Sequence, residues 1–250
     1  SIMGEENLYH WKKHGLLFNS ETHPGKDWMV SYAQAPATLV LDNIVRVYFS
    51  CRPKPDAHGQ FSSYSAYVDL DRRNLFNILD ISNEPVLELG EAGTFDEFGT
   101  YPFTVIPYKN EYLAYYGGWT RCESVPFNVS IGVAKSKDGK VFSRLGTGPI
   151  LTHTPDEPFI LSGPKIRRFN NKFYLFYIAG TKWVLSEDGK PEPVYKIRMA
   201  ISVNGIDWHK VNKPLIVDSI GVNEAQASPD VTFSGGKYHM FFCYREALDY

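Results

Sequence analysis

Four apolar runs carry a proline at nearly constant separation. They are AQAPATLVLD around Pro36, GTYPFTVIPY around Pro102, LSGPKIRRFN around Pro164 and QASPDVTFSG around Pro229, at intervals of 66, 62 and 65 residues. After a turn that holds Asn or Gly, each is followed by an aromatic-rich segment: VRVYFSCR, EYLAYYGGW, KFYLFYIAG or KYHMFFCYR. Third segments (YSAYVDLD, VSIGVAKS, YKIRMAIS) and fourth segments (LFNILDI, VFSRLG, DWHKVNKPLIV) complete the first three units. No helical period lies between them, so each unit reads as four consecutive strands. A lone four-stranded meander cannot bury both of its faces. Units packed face to face around an axis bury them all, which is the logic of a propeller blade. An aromatic content of 15% fits that reading, because rings pack well on pleated surfaces.

A shorter phrase also recurs. AKSKDGKVF, from Ala134 to Phe142, returns as AISVNGIDW, from Ala200 to Trp208. The Asp-Gly and Asn-Gly pairs predict two-residue type I′ turns, which need positive φ at both central positions. WKKHGLLF, from Trp11 to Phe18, reads as a fourth strand with no blade of its own, and Trp11 and Trp208 read as core. The chain ends after two strands of its fourth unit. The expectation is an all-β, five-bladed β-propeller forming one domain over residues 1–250. Four units are visible, the last is incomplete, and more chain is expected beyond Tyr250.

The formal charge of −2 gives no electrostatic grip on nucleic acid or anionic membrane. There is no apolar run long enough for a helical membrane span. Cys51, Cys122 and Cys243 are odd in number and widely spaced, which argues against a disulfide framework. A reducing, cytoplasmic location fits, with secretion as the alternative. No two of the seven histidines have metal-ligand spacing with a carboxylate, and no phosphate-loop or nucleophile-elbow motif occurs. No metal or cofactor is therefore expected. The oligomeric state is left open.

The fragments RVYFSCR, GTYPFTVIP, YYGGW, IGVAKSKDGKVFSR, GPIL, YKIRMAISVNGIDW and YHMFFCYRE resemble the five-bladed propellers of the arabinanase, levansucrase and invertase superfamily. They are most similar to the glycosidase-like proteins of bacterial surface-polysaccharide clusters. The resemblance spans about residues 9 to 246. It implies that the leading ends of the proline strands, and the loops after the second strands, rim a ligand-binding mouth. It also implies a carboxylate just before the proline of blade one and another two residues before the proline of blade three. Those positions hold Ala35 and Ser162.

Glycoside hydrolysis needs two carboxyl groups flanking one bond. Asp96 and Glu224 precede Pro102 and Pro229 and are the candidates for proton transfer, and Asp230 is a third carboxylate that strand alternation can turn into the channel. Asp156 and Glu157 also precede a blade proline. Arg52 and Arg245 end equivalent second strands and have forks suited to carboxylate or phosphate. Trp119 takes the matching place in blade two and offers a ring for a sugar face; Asp27 lies in the loop before blade one. The expected function is glycoside hydrolysis of a poly- or oligosaccharide. The alternative is a carbohydrate-binding or scaffold propeller without catalysis, favoured by Ala35 and Ser162.

Overall fold

The computed structural model describes residues 9–246. Three antiparallel sheets follow one another along the chain, each with its four strands in sequence order. Sheet one holds β1 (Ser31–Val40), β2 (Ile44–Arg52), β3 (Tyr64–Asp71) and β4 (Asn74–Ile81). Sheet two holds β5 (Gly99–Tyr108), β6 (Glu111–Arg121), β7 (Phe127–Ser136) and β8 (Ser143–Arg144). Sheet three holds β9 (Leu161–Phe169), β10 (Lys172–Leu185), β11 (Pro191–Ser202) and β12 (His209–Lys210). A fourth sheet contains β13 (Glu224–Ser234) and β14 (Lys237–Glu246). Among the described residues, the one helical element is a 3₁₀ turn at Ser20–Thr22.

The leading strands sit side by side: β1 against β5, β5 against β9, and β9 against β13. The core accordingly lies between sheets. Tyr48, Tyr67, Phe103, Tyr116 and Phe142 join sheets one and two, while Tyr115, Ile131, Phe173 and Tyr177 join sheets two and three. This is the face-to-face burial that a propeller requires, and each large side chain so buried contributes roughly 2–3 kcal/mol.

The recurring proline marks a break in register. Pairing slips between Gln34 and Ala37, between Thr100 and Phe103, opposite Phe176 and Ile178, and between Ala227 and Asp230. In sheets one, three and four the residue before the proline has left-handed backbone, with φ of 51° at Ala35, 57° at Gly163 and 53° at Ser228. In sheet two the Tyr101–Pro102 bond is cis. Proline donates no ladder hydrogen bond and keeps its predecessor out of the helical region, so a bulge forms and re-aims the leading end of each strand.

The recurring phrase makes a different turn from the expected type I′. Asp138 and Asn204 do not have positive φ; Gly139 (73°) and Gly205 (79°) do. The strand resumes only at Ser143 and at His209. The serine explains the larger loop. Ser136 Oγ accepts the amides of Asp138 (3.3 Å) and Gly139 (2.9 Å), and Ser202 Oγ accepts those of Asn204 (3.3 Å) and Gly205 (2.9 Å). The Asp or Asn side chain then accepts the next two amides. Each loop meets the preceding sheet, where Tyr48 Oη donates to the Gly139 carbonyl and Tyr115 Oη to the Gly205 carbonyl, both at 2.6 Å. A Cβ on Gly205 would sit 2.7 Å from that tyrosine oxygen, so the contact needs glycine.

The segment from Trp11 to Phe18 forms no strand. Trp11 is 80% exposed rather than core, and meets Phe241 edge-on at 5.7 Å. Phe18 packs on Phe49, so the segment runs from the fourth sheet to the first. Trp208 is partly buried against Tyr115 at 5.5 Å.

Candidate functional site

At the leading ends of the inner strands, register places Ser31 opposite Arg52, Gly99 opposite Trp119, Leu161 opposite Ala179 and Ala225 opposite Arg245. A cavity of about 160 Å³ opens at this level. Three sheets line it, through Arg52, Tyr101, Trp119, Phe127, Ser162 and Tyr195. Two of these, Arg52 and Trp119, are sugar-contact candidates from the sequence, and Ser162 stands where the resemblance implies a carboxylate. Val129 completes the wall, so Arg52 carries the one charge among the lining residues.

Local structure fixes the wall. A Cβ on Gly99 would fall 1.6 Å from Trp119 Nε1, so only glycine lets the indole lie across β5. Phe98 packs beside Trp119 at 6.2 Å and is covered by the Arg121 guanidinium at 3.8 Å. Arg121 also donates to the Phe61 carbonyl at 2.9 Å, tying the β2–β3 loop to β6. That loop delivers Phe61 to one contact with Arg52 (5.0 Å), and Tyr32 of β1 supplies another (5.1 Å). On the far side, β10 and β11 continue past a bulge at Gly180 and Lys182, and carry Trp183 to Phe127 at 5.5 Å. Burial pushes the Tyr195 phenol well above its usual range, and the nearby Arg245 charge works against that rise.

The carboxylate candidates lie elsewhere. Asp96 is fully buried, accepting from Tyr116 Oη (2.8 Å) and Arg144 Nε (2.8 Å), with Thr94 Oγ1 at 3.1 Å. Glu157 repeats this arrangement in the next sheet, with Tyr177 Oη at 2.8 Å and Lys210 Nζ at 2.7 Å. Glu224, also buried, accepts the amides of Ser219 (2.8 Å) and Ile220 (3.0 Å) and the Gln226 side-chain amide (2.9 Å). Burial alone would raise its pKa, but these donors hold the carboxyl below the usual range. Asp230 pairs with Arg167 on the inner strands, where Lys165 of β9 donates to the Pro36 carbonyl of β1 at 3.2 Å. Asp27 is exposed on the rim of a separate hollow beside Lys26, Pro53 and Lys54.

The cavity thus unites Arg52 and Trp119 and lies near Arg245 through Tyr195; Asp96, Glu224, Asp230 and Asp27 do not line it. Sequence reading missed Tyr101 and Tyr195. Tyr101 was legible as the residue before a blade proline, the position already weighed at Ala35. Tyr195 opens a third strand, a position that no motif singled out.

No family model matches the sequence. It is 33% identical over 238 residues to "Uncharacterized protein Rv1502" of Mycobacterium tuberculosis (strain ATCC 25618 / H37Rv), covering 95% of this chain and 76% of that protein. Over 121 residues it is 25% identical to a beta-1,2-mannobiose phosphorylase of Thermoanaerobacter sp. (strain X514), covering 44% of this chain and 40% of that one. Among solved structures, an alpha-L-arabinofuranosidase from Lactobacillus brevis matches with a TM-score of 0.61 at 15% identity, over 88% of this chain and 68% of that one. A GH32 beta-fructofuranosidase from Bombyx mori gives 0.60 at 16% identity, over 83% and 39%. A sucrose-6-phosphate hydrolase from Lactobacillus gasseri gives 0.59 at 14% identity, over 90% and 42%. This protein belongs to the family of the mycobacterial protein, and it shares its fold with the beta-fructofuranosidase, the alpha-L-arabinofuranosidase and the sucrose-6-phosphate hydrolase.

Proposed function

We propose that this chain is a carbohydrate-active propeller, built on a ring of five blades, that seats a sugar in the Arg52–Trp119 cavity and acts on its glycosidic bond. The observation that carries this reading is the cavity itself. Three sheets converge on it at the leading ends of their inner strands, and they bring four aromatic rings (Tyr101, Trp119, Phe127, Tyr195), a hydroxyl (Ser162) and one guanidinium. Flat rings cover the apolar faces of a sugar, and convergent polar groups fix its orientation. The fold neighbours named as glycosidases and the relative named as a mannobiose phosphorylase support the same substrate class.

Of the candidate carboxylates Asp96, Glu224 and Asp230, proton transfer is proposed for Asp230. Of the two ion-paired ones, the Asp230 side chain is 43% exposed, against 0% for Asp96. That difference favours Asp230 for contact with a substrate, and favours Asp96 and Glu224 as positioning residues for the loops entering β5 and β13. The second reading is a sugar-binding propeller without turnover. Ala35 and Ser162, where the resemblance implies acids, favour it. Incubation with bacterial polysaccharides and oligosaccharides, with and without inorganic phosphate, separates the two. Release of reducing sugar or sugar phosphate, abolished by Asp230→Asn in a folded protein, supports catalysis; binding with no release supports the second reading.

A further inference from the structure

We infer that the sugar seated at the mouth carries an oxyanion, a uronic carboxylate or a phosphate ester, and that Arg52 is the residue that selects it. The inference rests on the sugar seat proposed above and adds its substrate class.

The starting observation is a contrast among arginines. Arg46, Arg121, Arg144, Arg167 and Arg198 each meet a carboxylate. Among the described residues Arg52, like Arg72, Arg73 and Arg168, forms no such pair, and of these four it is the one that lines the cavity. Its guanidinium instead lies about 5 Å from the rings of Tyr32 and Phe61, at 5.1 and 5.0 Å. Rings that cover a guanidinium restrict its motion and leave its in-plane N–H donors for another partner. Those donors form a fork that fits two oxygens of one carboxylate or phosphate. A neutral sugar would be oriented as well by amide or hydroxyl side chains, which carry no desolvation cost for a charge.

The surroundings point the same way. Arg52 is the one charged residue lining the cavity, and Arg245 lies close enough to act on the phenol of Tyr195 in the same wall. No carboxylate lines the cavity to oppose an anion. A second observation concerns neutral polar atoms beside it. Ser63 Oγ, Thr100 Oγ1 and Trp119 Nε1 are buried without a hydrogen-bond partner among the described residues. All three gather at Gly99: Ser63 bridges to it, Thr100 follows it, and the Trp119 indole lies over it. Buried polar atoms are nearly always satisfied, so an orphaned group of three next to a cavity marks a place for ligand hydroxyls or bridging solvent. A polyhydroxylated ring bearing one anionic group matches both features.

The test is a binding screen of the wild-type chain and Arg52→Gln on an array of neutral, uronate-bearing and phosphorylated bacterial oligosaccharides. Hits are followed by titration of each acidic glycan beside its neutral twin. The wild type is expected to bind an acidic glycan at least about tenfold more tightly than the twin, and Arg52→Gln to reduce that ratio to within about threefold. Arg52→Lys keeps the charge without the fork, so its preference should fall between the two. The preference should also shrink between roughly 50 and 300 mM salt. The uronate and phosphate arms of the array identify which oxyanion is read. Unaltered melting temperatures for the variants exclude misfolding, and stabilisation of the wild type by the acidic ligand gives a readout independent of them. Equal binding of acidic and neutral twins, or an acidic preference that survives Arg52→Gln, overturns this inference and leaves the sugar seat standing. Absence of binding to any glycan overturns both.

Discussion

Arg46 and Arg52 lie six residues apart on the same strand and have opposite surroundings. Arg46 is 4% exposed, grips Asp69 through Nε (2.7 Å) and Nη2 (3.0 Å), and donates to the Asp138 carbonyl in the next sheet at 3.0 Å. Burial opposes its charge, but Asp69 and the neighbouring Tyr48 together more than restore it, so its pKa lies above the ordinary arginine value. Arg52, at the leading end of the strand, has rings for neighbours and a cavity in front of it. The contrast locates the boundary between scaffold and site within a single strand: the cation deep between sheets is held by a carboxylate and a carbonyl of the protein, and the cation at the mouth is not.

Breaking that contrast should give its largest effect at the buried end. Arg46→Gln leaves Asp69 buried without its partner, and should lower the unfolding free energy by about 3–5 kcal/mol in denaturant titrations. Next comes the contact between sheets. Tyr115→Phe removes one of the two side-chain donors to the Gly205 carbonyl, the other being the Trp208 indole, and should cost about 0.5–1.5 kcal/mol, with the Asn204 loop losing amide-exchange protection before the rest of sheet three. A similar effect should appear with acid. The Glu224 carboxyl is held below its ordinary value of 4.5, so it stabilises the fold above that pH. The contribution is lost as pH falls through the folded carboxyl's own, lower pKa. Glu224→Gln should therefore flatten the acid limb of the stability profile relative to wild type, while stability at pH 7 changes by about 1 kcal/mol or more. The smallest effect is expected at the mouth, where Arg52→Gln should alter stability by less than about 0.5 kcal/mol. A large loss there would assign Arg52 to the scaffold and erase the contrast.

The architecture was legible because repetition is visible in one dimension. The prolines, the aromatic second strands and the short fourth segments all fall where the sheets place them, since strand order equals chain order. The Asp-Gly loops were misread because the deciding residue is Ser136, two positions earlier; its hydroxyl captures the amides that a tight turn would direct elsewhere. Trp11 was misread because an aromatic side chain can pack against a strand, as Trp11 does against Phe241, without its backbone joining a ladder. At the site, Arg52 and Trp119 were legible from their equivalent places at strand ends. The burial of Asp96 was not, because its partner Arg144 stands 48 residues away on another strand. A carboxylate before a blade proline looks the same in sequence whether it faces solvent or a buried arginine.

The tyrosine contacts between sheets also bear on how a chain of near-copies avoids assembling in the wrong order. Sheets one and two each present a hydroxyl to the glycine carbonyl of the sheet that follows, but the equivalent residue in sheet three is Phe176, which faces an apolar hollow shared with Val231 and Met240. Sheet three placed ahead of the Gly139 loop would bury a carbonyl whose one side-chain donor is a tyrosine hydroxyl, a penalty that sheets one and two escape; the Gly205 carbonyl would keep the Trp208 indole at 3.0 Å. One missing oxygen atom thus gives otherwise interchangeable modules a direction of succession.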